Sequence, residues 1–224
     1  MIEFYNKDCL QALRSYADNA FDLAIVDPPY SDASSNAPEA CSVKRGGWHG
    51  KDKYYQGEQA KLSEIKWDIA PPQEYFEQLF RVSKNQIIWG GNYFSLPACR
   101  CFLIWLKSNI PEDFTMAMAE YAWTSFNDNA KVFKFSSART NDSGKFHPTE
   151  KPIELYKWLL TKYAKAGDKI LDTHVGSASS LIACYDLGFD VTGFEIDPVY
   201  YKLAKERLEI HQKQVNIFDI LGGL

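Results

Sequence analysis

The chain has 224 residues, 46% of them hydrophobic, and 25 Lys and Arg against 29 Asp and Glu give a net charge of −4. That length suits one domain, with or without an insertion, and a substantial buried core. No apolar run is long enough for a membrane span and Met1-Ile2-Glu3-Phe4-Tyr5-Asn6 is not a signal peptide, so a cytoplasmic protein with no membrane partner is expected.

The acidic balance excludes a uniformly basic surface and confines any nucleic-acid footprint to local patches. Two stretches qualify: Lys44-Arg45 with Lys51 and Lys53, and Lys131, Lys134, Arg139, Lys145 and Lys151. Five scattered cysteines argue against a disulfide framework. Cys99 and Cys101, without a second pair or a nearby His, read as small buried thiols rather than a metal site.

In chain order, Ile2–Tyr5 reads as a strand, and Asp8 as the cap of a helix whose apolar face is Leu10, Leu13 and Ala17. Phe21–Val26 is a continuous apolar run, the pattern of a buried parallel strand. Residues 31–66 are polar and loop-like, and Pro71-Pro72 can open the next helix. Ile87–Trp89, Phe102–Leu106 and Glu120–Thr124 are strand candidates, and Pro152 opens a helix through Tyr163. Lys169–Leu171 and Val191–Phe194 are strands, followed by helices over Ser177–Leu187 and Pro198–Ile210. Strands alternating with helices predict an α/β fold with a mostly parallel sheet of seven strands.

Two constellations carry chemistry. Asp27-Pro28-Pro29-Tyr30 falls at the end of the Phe21–Val26 strand, the edge where open α/β sheets place their sites. The prolines fix the backbone, Asp27 and the Pro28 carbonyl accept hydrogen bonds, and Tyr30 offers a flat ring with a polar tip. Together they form a rigid clamp for a planar ring bearing an exocyclic amine. The second is Asp172-Thr173-His174-Val175-Gly176-Ser177-Ala178-Ser179, a small-residue turn between strand and helix that allows close backbone approach to a ligand. Glu195 ends the following strand, about 20 residues past the Gly turn, where nucleotide-binding βαβ units hold a ribose hydroxyl. Asp197 reads as the next helix cap with Pro198 at its first position. The turn lacks G-x-G-x-x-G, which argues against a dinucleotide.

These segments, with Ile87-Ile88-Trp89-Gly90-Gly91-Asn92-Tyr93-Phe94 and His147-Pro148-Thr149-Glu150-Lys151-Pro152, resemble the amino-directed DNA methyltransferases in which the catalytic half precedes the cofactor half. Matching segments run from Asn6 to Ile210. The chain departs from the family turn Asp-Pro-Phe-x-Gly-Ser-Gly at Thr173, His174 and Ala178. The resemblance implies a Rossmann-like class I methyltransferase fold of circularly permuted motif order, with Ile2–Tyr5, Val191–Phe194, Lys169–Leu171, Phe21–Val26, Ile87–Trp89, Glu120–Thr124 and Phe102–Leu106 side by side and one strand antiparallel.

It further implies S-adenosyl-L-methionine as methyl donor and a flipped-out base in double-stranded DNA as acceptor. Asp27, Pro28, Pro29 and Tyr30 would be catalytic. Asp8, Asp27, Thr149, Lys151, Asp172, Gly176, Ser177 and Glu195 would bind the cofactor: Asp8 at its adenine, Glu195 at its ribose, Lys151 near its carboxylate. No metal is needed. Asp at the head of the motif favours adenine N6; cytosine N4, RNA adenine and a non-catalytic nucleic-acid-binding relative are the alternatives. Residues 31–66 and 107–146 are the candidate target-recognition segments. Such small segments suggest a short target or a homodimer that shares recognition, and a restriction-endonuclease partner is a candidate.

Overall fold

The computed structural model describes residues 1–30, 69–113, 117–136, 147 and 150–221, with side chains to 214. The candidate recognition segment 31–66, with Lys44, Arg45, Lys51 and Lys53, lies outside the described residues, as do Arg139, Lys145 and Thr149.

Strand β2 (Phe21–Val26) forms the centre because its side chains are apolar on both faces. Leu23 and Ile25 join one hydrophobic cluster, Ala24 and Val26 the other. On the first face lie α3 (Ile153–Tyr163), α4 (Ser179–Leu187) and α5 (Pro198–Leu221); on the second lie α1 (Cys9–Leu13) and α2 (Gln73–Val82). The result is a three-layer α/β/α sandwich.

Around β2 are arranged β1 (Ile2–Asn6), β3 (Ser83–Trp89), β4 (Phe102–Lys107), β5 (Ala119–Thr124), β6 (Lys131–Phe135), β7 (Lys169–Asp172) and β8 (Asp190–Glu195), in the spatial order β1-β8-β7-β2-β3-β5-β4-β6. The seven strands expected from sequence stand in the expected order, but the sheet has eight. The addition is β6, parallel to β4 at the sheet edge. It alternates Lys131-Val132-Phe133-Lys134-Phe135, so its lysines belong to a half-buried strand rather than to a basic loop. Phe133 and Phe135 pack on the core, while Lys131 pairs with Asp128. Within the 107–146 segment, residues 119–124 form the expected strand β5 and residues 131–135 form β6, which was not expected.

Among the described strands only β5 runs antiparallel, to β3 on one side and β4 on the other. Two consequences position the site. The sheet winds one way from β2 to β3 and the other way from β7 to β8, so the carboxyl ends of neighbours β2 and β7 meet at a topological switch point. The reversed β5 also brings its own first residues to that same edge.

Helix boundaries follow local chemistry. Asp8 caps α1 through the Gln11 N–H (3.2 Å), as expected, although α1 ends at Leu13 rather than reaching Ala17. Asp197 caps α5 by accepting from the Val199 N–H (2.8 Å) and the Tyr200 N–H (3.2 Å). Cys9, Cys99, Cys101 and Cys184 are free thiols.

Candidate active site

Asp172 ends β7 and is fully enclosed. The Ser180 hydroxyl donates to its Oδ2 and the His174 N–H to its Oδ1 (3.0 Å). Burial raises its pKa to about 6, against the lowering effect of those donors. Glu195 ends β8, and its Oε2 and Oε1 accept the N–H groups of Gly176 and Asp197, each at 2.9 Å. Burial pushes this carboxyl to about 7 despite both bonds. Glu195 thus ties the glycine turn to the neighbouring strand.

The turn itself has left-handed backbone at Gly176 (φ 54°) and Ala178 (φ 66°). A Cβ on Gly176 would come within 3.2 Å of the His147 ring. His147 also meets Tyr200 edge to face, which holds its ring against the turn. Arg207 of α5 locks the same corner, donating to the Ser177 carbonyl (2.8 Å) and pairing with Glu150 (2.9 Å). Arg207 escaped the sequence reading because α5 offers no motif around it.

His174 stands where the resemblance expects an aromatic ring, and it packs as one. It meets Tyr75 edge to face at 5.5 Å, hydrogen-bonds Thr173 (2.9 Å) and lies 3.9 Å from the Cys9 Sγ. Burial lowers its pKa to about 4 and raises the Cys9 thiol to about 12, so neither group carries charge at neutral pH. Asp8 shares a hollow with Tyr5, Lys7 and Phe194 beside this corner.

Across the switch point, Asp27 follows β2. Its Oδ2 is ion-paired with Lys151, while its Oδ1 is buried and has no partner among the described residues. Burial raises the Asp27 pKa; Lys151 opposes this and Glu120 adds to it. Lys151 is also 3.2 Å from Glu120 and lies 5.5 Å from the centre of the Trp89 ring. Burial would lower the lysine's pKa, but the two carboxylates hold it well above the usual value. Lys151 therefore joins Asp27 and Glu120, with 3% of its side chain exposed, and is not a surface cation available to phosphate.

Tyr30 lies flat against Tyr93, with ring centres 4.6 Å apart and planes 9° from parallel. Gly90 (φ 67°) makes room for it: a Cβ there would stand 2.7 Å from the Tyr30 ring. The Gly90-Gly91-Asn92-Tyr93 turn is therefore the seat of the Tyr30 ring, and Tyr93 doubles the aromatic platform. Sequence reasoning picked out this turn but not the stack.

The structure thus brings Asp27, Pro28, Pro29 and Tyr30 to one side of a crevice, and Asp172, Gly176, Ser177 and Glu195 to the other. No helix among the described residues is long and apolar enough to cross a membrane, and no cluster among them could hold a metal.

A doubly wound sheet with one reversed strand and carboxylates at its switch point is the fold of class I methyltransferases. The chain shares it with the M1.HpyAVI–SAM complex (TM-score 0.57, 18% identity, covering 92% of this chain and 100% of that one). It shares it equally with the cytosine-N4-specific PvuII DNA methyltransferase (TM-score 0.57, 14% identity, 96% and 93%). The model of the N6/N4 DNA methylase family matches residues 48–206, and the chain belongs to that family. Among curated relatives, the type II methyltransferase M.HpaI of Haemophilus parainfluenzae is 24% identical over 248 residues, covering 95% of this chain and 74% of its own length.

Proposed function

We propose that this DNA methyltransferase transfers a methyl group from S-adenosylmethionine to N6 of an adenine flipped out of double-stranded DNA. The observation that carries the reading is the Asp27 Oδ1, a buried acceptor with no partner among the described residues, in the Asp-Pro-Pro-Tyr loop beside a flat aromatic ring. Such an acceptor awaits a donor, and an exocyclic amine supplies one.

The donor set on the other side suits the methyl donor, which carries a positively charged sulfonium. Asp172 and Asp27 stand at neighbouring strand ends and feel each other's charge, so a cation between them is favoured. Glu195 would hold the ribose, Asp8 the adenine, and the Gly176 turn lets the chain approach closely. When bound, S-adenosylmethionine supplies the electrophilic methyl.

The residues of this chain do the rest. Asp27 and the Pro28 carbonyl accept the amine's N–H groups, which favours a pyramidal, more nucleophilic nitrogen. Tyr30 stacks on the ring, a contact worth about 1–3 kcal/mol. The base must leave the duplex to reach this loop. Positioning and fixed charge then carry the rate, with the Asp27 carboxylate balancing the positive charge that develops on nitrogen.

Incubation with unmethylated DNA and methyl-labelled S-adenosylmethionine, followed by digestion to nucleosides, tests this. N6-methyladenine that disappears in Asp27→Ala supports the proposal. N4-methylcytosine instead would reassign the base. Label appearing only with RNA would reassign the polymer.

A further inference from the structure

An ion chain on the base side of the crevice joins two of the expected site residues, Asp27 and Lys151, to two that carry no expected role, Glu120 and Lys107. Asp27 Oδ2 meets Lys151, Lys151 meets Glu120 Oε2 at 3.2 Å, and Glu120 Oε1 meets Lys107 at 2.7 Å. The four groups come from the ends of β2, β4 and β5 and from the segment before α3. The lysines are 3% and 10% exposed at the side chain, and the carboxylates 12% and 23%. Each lysine lies near a tryptophan ring, Lys151 near Trp89 and Lys107 near Trp105, so their stems are held by packing.

Asp27 and Glu120 compete for the same ammonium. A carboxylate fully committed to a lysine is a poor acceptor for a neutral amine, whereas a bare buried carboxylate would take up a proton. Catalysis needs an intermediate grip. Resting on the reading that Asp27 accepts the target amine, we propose that Glu120, itself held by Lys107, is a positioning residue that sets how tightly Lys151 grips Asp27. Glu120 draws Lys151 back from Asp27, and Lys107 limits how far by neutralising Glu120. When an amine enters at Oδ1, Lys151 has a second anion to lean on.

The charge pattern supports this division. Burial raises the Glu120 carboxyl, but Lys151 and Lys107 outweigh it and bring it down to about 2, so it stays ionised. Asp27, with only its share of Lys151, is raised. The other groups facing Asp27 cannot play Glu120's part. Tyr30, Tyr75 and Tyr156 are all shifted upward by burial and stay neutral, and Asp172 is engaged by its own donors.

The two outer residues should therefore move Asp27 in opposite directions. In Glu120→Gln, Lys151 commits to Asp27 and the Asp27 pKa falls by about 1 unit. In Lys107→Met, Glu120 takes a larger share of Lys151 and the Asp27 pKa rises by a comparable amount, whereas Lys107→Arg leaves it as in the wild type. The readout is a 13C NMR titration of the Asp27 carboxyl in the full chain without ligand, assigned through Asp27→Asn. It is paired with the acid limb of kcat against pH, using amplified, methyl-free genomic DNA as substrate. Opposite displacements in both measurements, with kcat about tenfold lower in Glu120→Gln at alkaline pH, are expected. Shifts of the same sign, or none in either variant, overturn the proposal. If Glu120→Gln does not fold, an upward shift in Lys107→Met that Lys107→Arg abolishes still supports it, and its absence overturns it. A wild-type chain that methylates no nucleic acid would refute the functional reading, while the carboxyl titration still decides the charge linkage.

Discussion

The two sides of the crevice hold their buried acids by opposite means. On the side proposed for the cofactor, Asp172 and Glu195 are satisfied by neutral donors no more than 19 residues away in sequence: His174 and Ser180 for one, Gly176 and Asp197 for the other. On the side proposed for the base, Asp27 and Glu120 are met by lysines, and the Asp27–Lys151 pair spans 124 residues. Neutral donors leave the carboxyl easy to protonate, as the values of about 6 and about 7 show. The two lysines around Glu120 do the reverse. A fixed frame for a ligand can be built locally; an acceptor whose strength must be set needs charges from several strands.

The sharpest way to separate the two sides is Asp27→Asn. It replaces an acceptor oxygen with a donor amide and should lower kcat by roughly 10²–10³, the scale for losing one fixed electrostatic contact in a transition state. Affinity for S-adenosylmethionine, measured by calorimetry, should fall by no more than about tenfold, or about 1.4 kcal/mol, because Asp172 still faces the sulfonium. A comparable loss of both would erase the distinction.

The pH dependence of stability should separate them as well. Asp172 and Glu195 have folded-state pKa values above their ordinary ones, so the native state binds protons more tightly than the unfolded chain. Their contribution is complete below about pH 4 and is lost as pH rises through about 6 and 7, with an upper scale of roughly 3 kcal/mol apiece. Glu120 has the opposite sign: its contribution is present above its ordinary pKa and is lost as pH falls toward about 2. Urea unfolding across pH 3–8 should show Asp172→Asn flattening the neutral side of the profile and Glu120→Gln the acid side.

Smaller effects test the two turns. Gly90→Ala forces a side chain into left-handed backbone, at about 1–2 kcal/mol, and into the Tyr30 ring. Stopped-flow fluorescence with a 2-aminopurine target should show weakened base capture, with cofactor affinity retained. Ala178→Gly should do least. Relief of about 1–2 kcal/mol of left-handed strain is offset by about 0.8 kcal/mol for the buried methyl, so the melting temperature should move only a few degrees.

What could be read from sequence divides along the same line. The Asp27 loop, the Gly176 turn, Glu195 and the Asp8 and Asp197 caps each declare themselves within a few residues, because strand ends and helix starts impose local chemistry. The sheet order was legible through the resemblance. Strand β6 was not, since its two lysines drew it into a candidate basic patch, and only Phe133 and Phe135 mark its buried face. Glu120 and Lys107 carry no local signal at all. They reach Asp27 because β5 runs backwards and delivers its second residue to the edge where β4 ends. Lys151 shows the same limit from the other side: the motif around it was readable, but its partners were not.

The pairing of β1 with β8 has a temporal consequence. Ile2 lies opposite Val191, and Asn6 donates to the carbonyls of Glu195 and Ile196, so β1 is synthesised 189 residues before its only neighbour among the described strands. At roughly 5–20 residues per second, a ribosome takes about 10–40 s to deliver that neighbour. Until then β1 has no ladder to join, and closing so long a loop makes it a late arrival even in a full-length chain. The corner where Asp8 shares a hollow with Phe194 is therefore among the last parts of the molecule to exist.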